Sequence, residues 1–286
     1  MIKNYIELTN SEKKLVYDFI FKNEVKEYDI EKLDYIFNIE TYDYGKGVLF
    51  YFSNGKVIAT VRVVLEIAKV LKNVFIHNIN IIGNYNKERI LKNLINKSIE
   101  LGRSYGGKNF FLGVKDEKLL NTLKHIGYVK NYLALKMSLE YKDANSTSLE
   151  LVSLTPNNKN EYMKIFNKSF SDMPHGTYLN NKRLNENLNN IDENNYYFMV
   201  SNNNKIIGFM NCIIKNNEGM FDIGLCNEFR GRGYGKQLLE TAINFLIKKR
   251  VKKISLIVIE KNEKAYNMYK KRGFIEDSIV SYWIEL

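Results

Sequence analysis

The chain has 286 residues, with 43 Lys and Arg against 32 Asp and Glu, a formal net charge of +11 and 45% hydrophobic residues. It is long enough to bury one large core or two ordinary ones, and two cysteines with three scattered histidines offer neither a disulfide framework nor a metal-ligand spacing. No stretch like a signal peptide or a membrane span stands out, and the lysines are spread evenly without stacking aromatics, so a cytoplasmic protein with no membrane and no nucleic-acid partner is expected.

In chain order, the first predicted helix is LTNSEKKLVYDFIFK from Leu8, with Thr9 as its N-cap. YFSNGKVIATVRVVLE reads as strand, polar turn, strand. IIGNYNKERILKNLI predicts a turn into a helix, and LLNTLKHIGYV a helix that stops at Gly127. The polar segment YKDANSTS, residues 141–148, reads as a linker.

After it the same succession returns. LTPNNKNEYMKIFNK begins at Leu154, 146 positions after Leu8, with Thr155 as N-cap and Pro156 at the first helical position. YYFMVSNNNKIIGFMNCII gives a second strand pair. MFDIGLC predicts a strand with Phe221, Ile223 and Leu225 on one face and Met220, Asp222, Gly224 and Cys226 on the other. RGRGYG then opens a helix whose stripe of Leu238, Leu239, Ala242, Ile243 and Leu246 closes on Lys248, Lys249 and Arg250. KKISLIVIE reads as a buried strand, and AYNMYKKRGFI stops at Gly273, 146 positions after Gly127. The expected fold class is α/β: two tandem domains, residues 1–142 and 149–286, each an α+β mixed sheet flanked by helices, with a right-handed crossover around the glycine turn.

A helix begins with about four unsatisfied backbone N–H groups and the positive end of its dipole, which together suit an anion. Glycines at 231, 233 and 235 let backbone approach that anion, and Arg230, Arg232 and Lys236 surround it with positive charge. The turn lacks the Lys-Ser/Thr ending of a P-loop and the spacing of a dinucleotide fold.

Arg230, Gly233 and Gly235 match the Arg/Gln-x-x-Gly-x-Gly/Ala signature, and Asn262, Ala265, Tyr269, Gly273 and Phe274 match a second element, Asn-x-x-Ala-x-x-x-Tyr followed by Gly-Phe. On these motifs the second half resembles the GNAT superfamily of acetyl-CoA-dependent N-acetyltransferases. The resemblance implies transfer of an acetyl group to a primary amine by direct attack. The pantetheine arm would lie between splayed strands near Leu225 and Cys226. The pyrophosphate would rest on Gly231, Arg232, Gly233, Tyr234, Gly235 and Lys236, with Arg230 and Asn262 assigned to the same cofactor site. Tyr269 would protonate the departing thiolate. Asp222 is the candidate base, with Glu218 the second, and a backbone N–H near Leu225 would stabilise the developing negative charge. Cys226 has no histidine or acid at a spacing that would activate it, so it reads as structural.

The acceptor segment would include Asp172, His175 and Tyr178, with Tyr282 and Trp283 in the last strand. No metal is expected, and a monomer or homodimer acting on a small amine or amino-acid-like molecule is favoured. Transfer to a protein or peptide, or a CoA-binding regulatory module without turnover, are the other readings. In the first copy Ile82, Tyr85 and Lys87 fall opposite Arg230, Gly233 and Gly235, while Leu123 and Asp116 fall opposite Tyr269 and Asn262. The first copy is therefore expected to keep the fold without the acetyl-CoA motif.

Overall fold

The computed structural model describes residues 1–23, 30–83, 85–140 and 143–286. They form two compact units, one of residues 1–132 with 281–286 and the other of residues 133–280. Each is a mixed sheet flanked by helices.

The first unit contains β1 (Ile2–Asn4), α1 (Asn10–Asn23), α2 (Ile30–Phe37), β2 (Val48–Ser53), β3 (Lys56–Val64), α3 (Ala68–Leu71), β4 (Asn73–Ile81), α4 (Lys87–Ser104), β5 (Asn109–Val114) and α5 (Glu117–His125). Its strands run antiparallel from β1 to β4, and β5 is parallel to β4. Thr9 caps α1 as expected: its hydroxyl accepts from the Glu12 N–H at 3.3 Å, and the Glu12 carboxylate accepts the Thr9 N–H at 2.9 Å.

The second unit takes up β6 (Tyr132–Leu139) from Leu133 onward, then β7 (Glu150–Ser153), α6 (Lys159–Phe170), α7 (Asn181–Asn189), β8 (Asn195–Asn202), β9 (Lys205–Lys215), β10 (Glu218–Leu225), α8 (Tyr234–Lys248), β11 (Lys253–Ile259), α9 (Glu263–Arg272) and β12 (Phe274–Glu285) as far as Val280. Its strand order is β6-β11-β10-β9-β8-β7, with only the β10–β11 pair parallel. The predicted stripe of α8 is the buried one: Leu238, Leu239, Ala242, Ile243 and Leu246 pack with Phe221 and Leu225 of β10. Each of these leucine, isoleucine and phenylalanine side chains contributes about 1.5–3 kcal/mol by leaving water.

Three expectations are corrected here. Helix α6 starts at Lys159 rather than beside Thr155, because the Asn158 side chain accepts the Thr155 N–H and donates to the Ser153 carbonyl, holding Pro156 in a turn ahead of the helix. The supposed linker is not loose. Tyr141 and Lys142, its start and the end of the expected first domain, lie outside the described residues, but Asn145, Thr147 and Ser148 bond to Glu240, Thr241 and Gln237 of α8. The division of the chain also departs from the expected 1–142 and 149–286. Residues of β6 pair with β11, from Ala134↔Ile259 to Leu139↔Ile254, so they complete the second unit's sheet. The end of β12, Tyr282 to Glu285, pairs with Val114 to Phe111 and completes the first. Tyr282 and Trp283 thus belong to the first unit and not to the acceptor segment's unit.

Candidate functional site

Strand pairing in the second unit opens a gap. β10 and β11 are joined only from Glu218↔Lys253 to Met220↔Ser255, although β10 continues to Leu225 and β11 to Ile259. Beyond Met220 the two strands have no partner on that side among the described residues. The Cys226 N–H donates to the Ile207 carbonyl at 2.9 Å and Leu225 lies opposite Gly208, so the antiparallel alternation turns the backbone groups of Phe221, Ile223 and Leu225 toward the gap. Gly208 lets β9 run this close to β10, since a Cβ there would sit 2.1 Å from the Gly224 carbonyl oxygen.

The glycine turn follows directly. Gly231 and Gly233 have φ of +76° and +84°, a left-handed backbone that side chains rarely adopt, and neither is crowded by a neighbour. The glycines thus set the path of the turn. Among the described residues no side chain caps α8 at Gly233, and the first N–H groups of Tyr234 and Gly235 have no partner. Arg232 and Lys236 are exposed beside them. Tyr234 is held by its ring contact with Phe229 and by the Asn202 amide, which donates to its hydroxyl at 3.1 Å.

Arg230 does something other than surround an anion. Its guanidinium donates to the Leu225 carbonyl at 3.0 Å, the Ser169 carbonyl at 2.8 Å and both carboxylate oxygens of Asp172 at 2.7 and 2.9 Å. It ties the end of β10 to the end of α6. Asp172, expected from the sequence to face the acceptor, is the other half of that clasp, and the guanidinium holds its carboxyl below the ordinary range.

Tyr269 is buried on α9, its ring 6.5 Å from that of Phe221 and 5.9 Å from that of Phe274. Its hydroxyl has no hydrogen-bond partner among the described residues. Burial, and then the Asp222 charge, raise its pKa, so it stays protonated at neutral pH. Asp222 is exposed on β10, yet the protein packed around it removes enough water to raise its pKa. Its charge acts on Tyr162 and Cys212 as well as Tyr269. Glu218 is poorly suited to act as the base, because Lys136 at 2.7 Å and the Ser255 hydroxyl lower its pKa.

The other predicted residues are less central. Asn262 is the N-cap of α9, accepting from the Ala265 N–H at 3.4 Å. His175 sits at φ +58°, and burial with the Lys261 charge lowers its pKa to about 4, leaving it neutral at pH 7. The Tyr178 carbonyl accepts from Arg183 at 3.4 Å. Cys226 is buried with its sulfur 3.4 Å from the Ser169 hydroxyl. Among the described residues no three His, Cys, Asp or Glu converge as metal ligands, and no helix is long and apolar enough to cross a membrane.

Sequence reasoning missed Asn211, Tyr197 and Tyr162. Asn211 lies opposite Asp222 on one side and Tyr197 on the other, so all three side chains share one face of the sheet. The Tyr162 hydroxyl of α6 donates to Asn211 Oδ1 at 2.7 Å. The available signal was a single amide inside the apolar run IIGFMNCII.

In the first unit the matching turn is built differently. Asn86 caps α4 with its own side chain, accepting the Arg89 N–H at 3.0 Å, and the Tyr85 ring lies against Gly83, within 2.8 Å of where a Cβ would stand. Asp116 caps α5 as Asn262 caps α9, and Leu123, at the position in α5 that Tyr269 holds in α9, is buried in the core.

Residues 159–274 match the acetyltransferase (GNAT) family. A stretch of 98 residues is 32% identical to an uncharacterised N-acetyltransferase of Methanocaldococcus jannaschii, covering 32% of this chain and 43% of that relative, so the match spans less than half of the relative's length. Among solved structures, a GCN5-related N-acetyltransferase from Sphaerobacter thermophilus is similar over 100% of this chain and 94% of its own, with TM-score 0.59 and 12% identity. A tandem GNAT protein from the clavulanic acid biosynthesis pathway covers 100% and 98%, with TM-score 0.58 and 11% identity. At such identities the structural matches speak for the fold.

Proposed function

We propose that the chain is a GNAT acetyltransferase in which the second unit binds acetyl-CoA and acetylates a primary amine of a small molecule, while the first unit is a copy of the same fold without that chemistry. The observation that carries this reading is the coincidence, in one unit, of a strand gap and an uncapped helix start with a tyrosine and a carboxylate whose pKa values both lie above normal.

The residues fit the co-substrate. The gap beside Ile223 and Leu225 offers backbone groups to an extended pantetheine arm, as an added strand would receive them. The open N–H groups of Tyr234 and Gly235, with Arg232 and Lys236, suit a pyrophosphate. Acetyl-CoA supplies the acetyl group as a thioester. Asp222 takes a proton from the acceptor ammonium, and its raised pKa makes it a stronger base than an ordinary carboxylate. The amine nitrogen bonds to the acyl carbon as the carbon–sulfur bond breaks, and the second proton of that nitrogen passes to water. Tyr269 gives its proton to the thiolate, a role that a neutral, otherwise unbonded hydroxyl can fill. The Leu225 N–H would meet charge developing on the carbonyl oxygen. Arg230 acts at a remove, by fixing the end of β10.

The first unit's reading rests on Asn86, Tyr85 and Leu123. A helix start satisfied by its own side chain has little to offer a phosphate, and leucine has no proton to give. The test is release of free CoA thiol from acetyl-CoA on addition of amines to the purified chain. Amine-dependent release supports the proposal, and none across a broad amine panel contradicts it.

A further inference from the structure

Across the face of the second unit's sheet that packs on α6, Tyr197, Asn211 and Asp222 stand side by side on β8, β9 and β10, the last beside the gap. Tyr162, fully buried on α6, donates its hydroxyl proton to Asn211 Oδ1 at 2.7 Å. With Oδ1 so occupied, the two protons of Nδ2 have no acceptor among the described residues. The Asp222 carboxylate has no hydrogen-bond partner among them either. Directly opposite residues in an antiparallel pair carry their Cβ atoms about 4.5–5.5 Å apart. A two-proton donor and an anionic acceptor thus lie side by side, both unfilled, where the amine of an acceptor would meet the gap. Unmatched polar groups in a half-enclosed site are a disadvantage unless a ligand pairs with them.

We propose that Asn211, aimed by Tyr162, selects acceptors that carry a neutral hydrogen-bond-accepting oxygen on the carbon next to the amine-bearing carbon: the amine at Asp222, the oxygen at Asn211 Nδ2. This deepens the functional reading above and rests on it. The spacing suits an α-amino amide or a vicinal amino alcohol, in which nitrogen and oxygen lie two carbons apart. A free α-amino acid fits less well, because its carboxylate would be held within a few ångströms of Asp222, where like charges repel. An unsubstituted alkylamine leaves the Asn211 donors unpaired.

The experiment compares kcat/KM for alaninamide, 2-amino-1-propanol, alanine and isopropylamine in the wild type, Asn211→Leu and Asn211→Asp, with acetyl-CoA binding measured by calorimetry on the same preparations. The two variants share only the loss of the amide donor, so a folding defect in one is exposed by the other. The wild type is expected to favour the amide or the amino alcohol over isopropylamine by about tenfold, the scale of one hydrogen bond, and alaninamide over alanine by at least as much. Both variants are expected to lower the first ratio by about tenfold relative to the wild type. Preference for the amide alone or the alcohol alone supports the inference and identifies which oxygen the site takes. Equal ratios in wild type and variants overturn the inference, as does a preference for free alanine. Acetyl-CoA binding without acetylation of any of the four overturns it as well, whereas loss of acetyl-CoA binding in the wild type contradicts the functional reading itself.

Discussion

Tyr269 carries the most consequence for the fewest contacts. Its ring is core and its hydroxyl bonds to nothing among the described residues, so Tyr269→Phe should leave thermal stability within about 0.5 kcal/mol while lowering kcat about 10²-fold, as loss of a general acid does. A melting curve beside steady-state rates separates the two. Asp222 shows the opposite trade. Its pKa is raised by desolvation, so the folded state holds this proton more tightly than the unfolded one. The contribution of this group to stability is present below the ordinary carboxylate pKa and is lost as pH rises through the raised value. Asp222→Asn is therefore expected to raise the melting temperature at pH 8 and to leave it little changed at pH 4, while activity falls. A lower melting temperature at pH 8 would count against the desolvation of this charge. Both residues were singled out through the family resemblance, Tyr269 by its motif and Asp222 by its place on the strand before the glycine turn. The sequence could not mark Asn211 or Tyr162, whose pairing depends on strand register and on a helix packing across the sheet, neither of which a local pattern encodes. Arg230 shows the same limit: a cation beside glycines looks like an anion ligand until Leu225, Ser169 and Asp172 are seen around it.

Among the elements, those with strong periodicity were legible, and those that depend on partners were not. The α8 stripe, the faces of β10, and the stops at Gly127 and Gly273 follow from spacing alone. Nothing in β6 or the end of β12 says which sheet each completes, since an apolar stretch of that kind suits either edge. The consequence is testable. Ile284 is 1% exposed in the first unit's core, so Ile284→Asp should cost more than about 4 kcal/mol. Hydrogen exchange should then speed up in β3, β4 and β5 before it does in β9 and β10. Faster exchange starting in β9 and β10 would assign the strand end to the wrong unit. At the glycine turn, Gly233→Ala places a side chain at φ +84° with room around it. Backbone strain of about 1–2 kcal/mol and a weakened affinity for acetyl-CoA are expected, read by melting and by calorimetry.

For the molecule as a whole, two units share one sheet order around a parallel pair, β4–β5 in the first and β10–β11 in the second, with α3 in the first alone among the described elements. The proposed labour is divided unevenly between them. Among the described residues only the second unit combines an uncapped helix start, left-handed glycines at the turn and a tyrosine beside the gap. In the first, Asn86, Tyr85 and Leu123 occupy the corresponding places. The recurrence at 146 positions suggested a two-fold organisation, whereas the side-chain cap on α4 follows from no such spacing. Calorimetric titration of acetyl-CoA into the purified chain tests this division most directly. One site per chain is expected, abolished by Gly233→Tyr and retained in Tyr85→Gly. Two sites per chain, or one site that survives Gly233→Tyr, would contradict it.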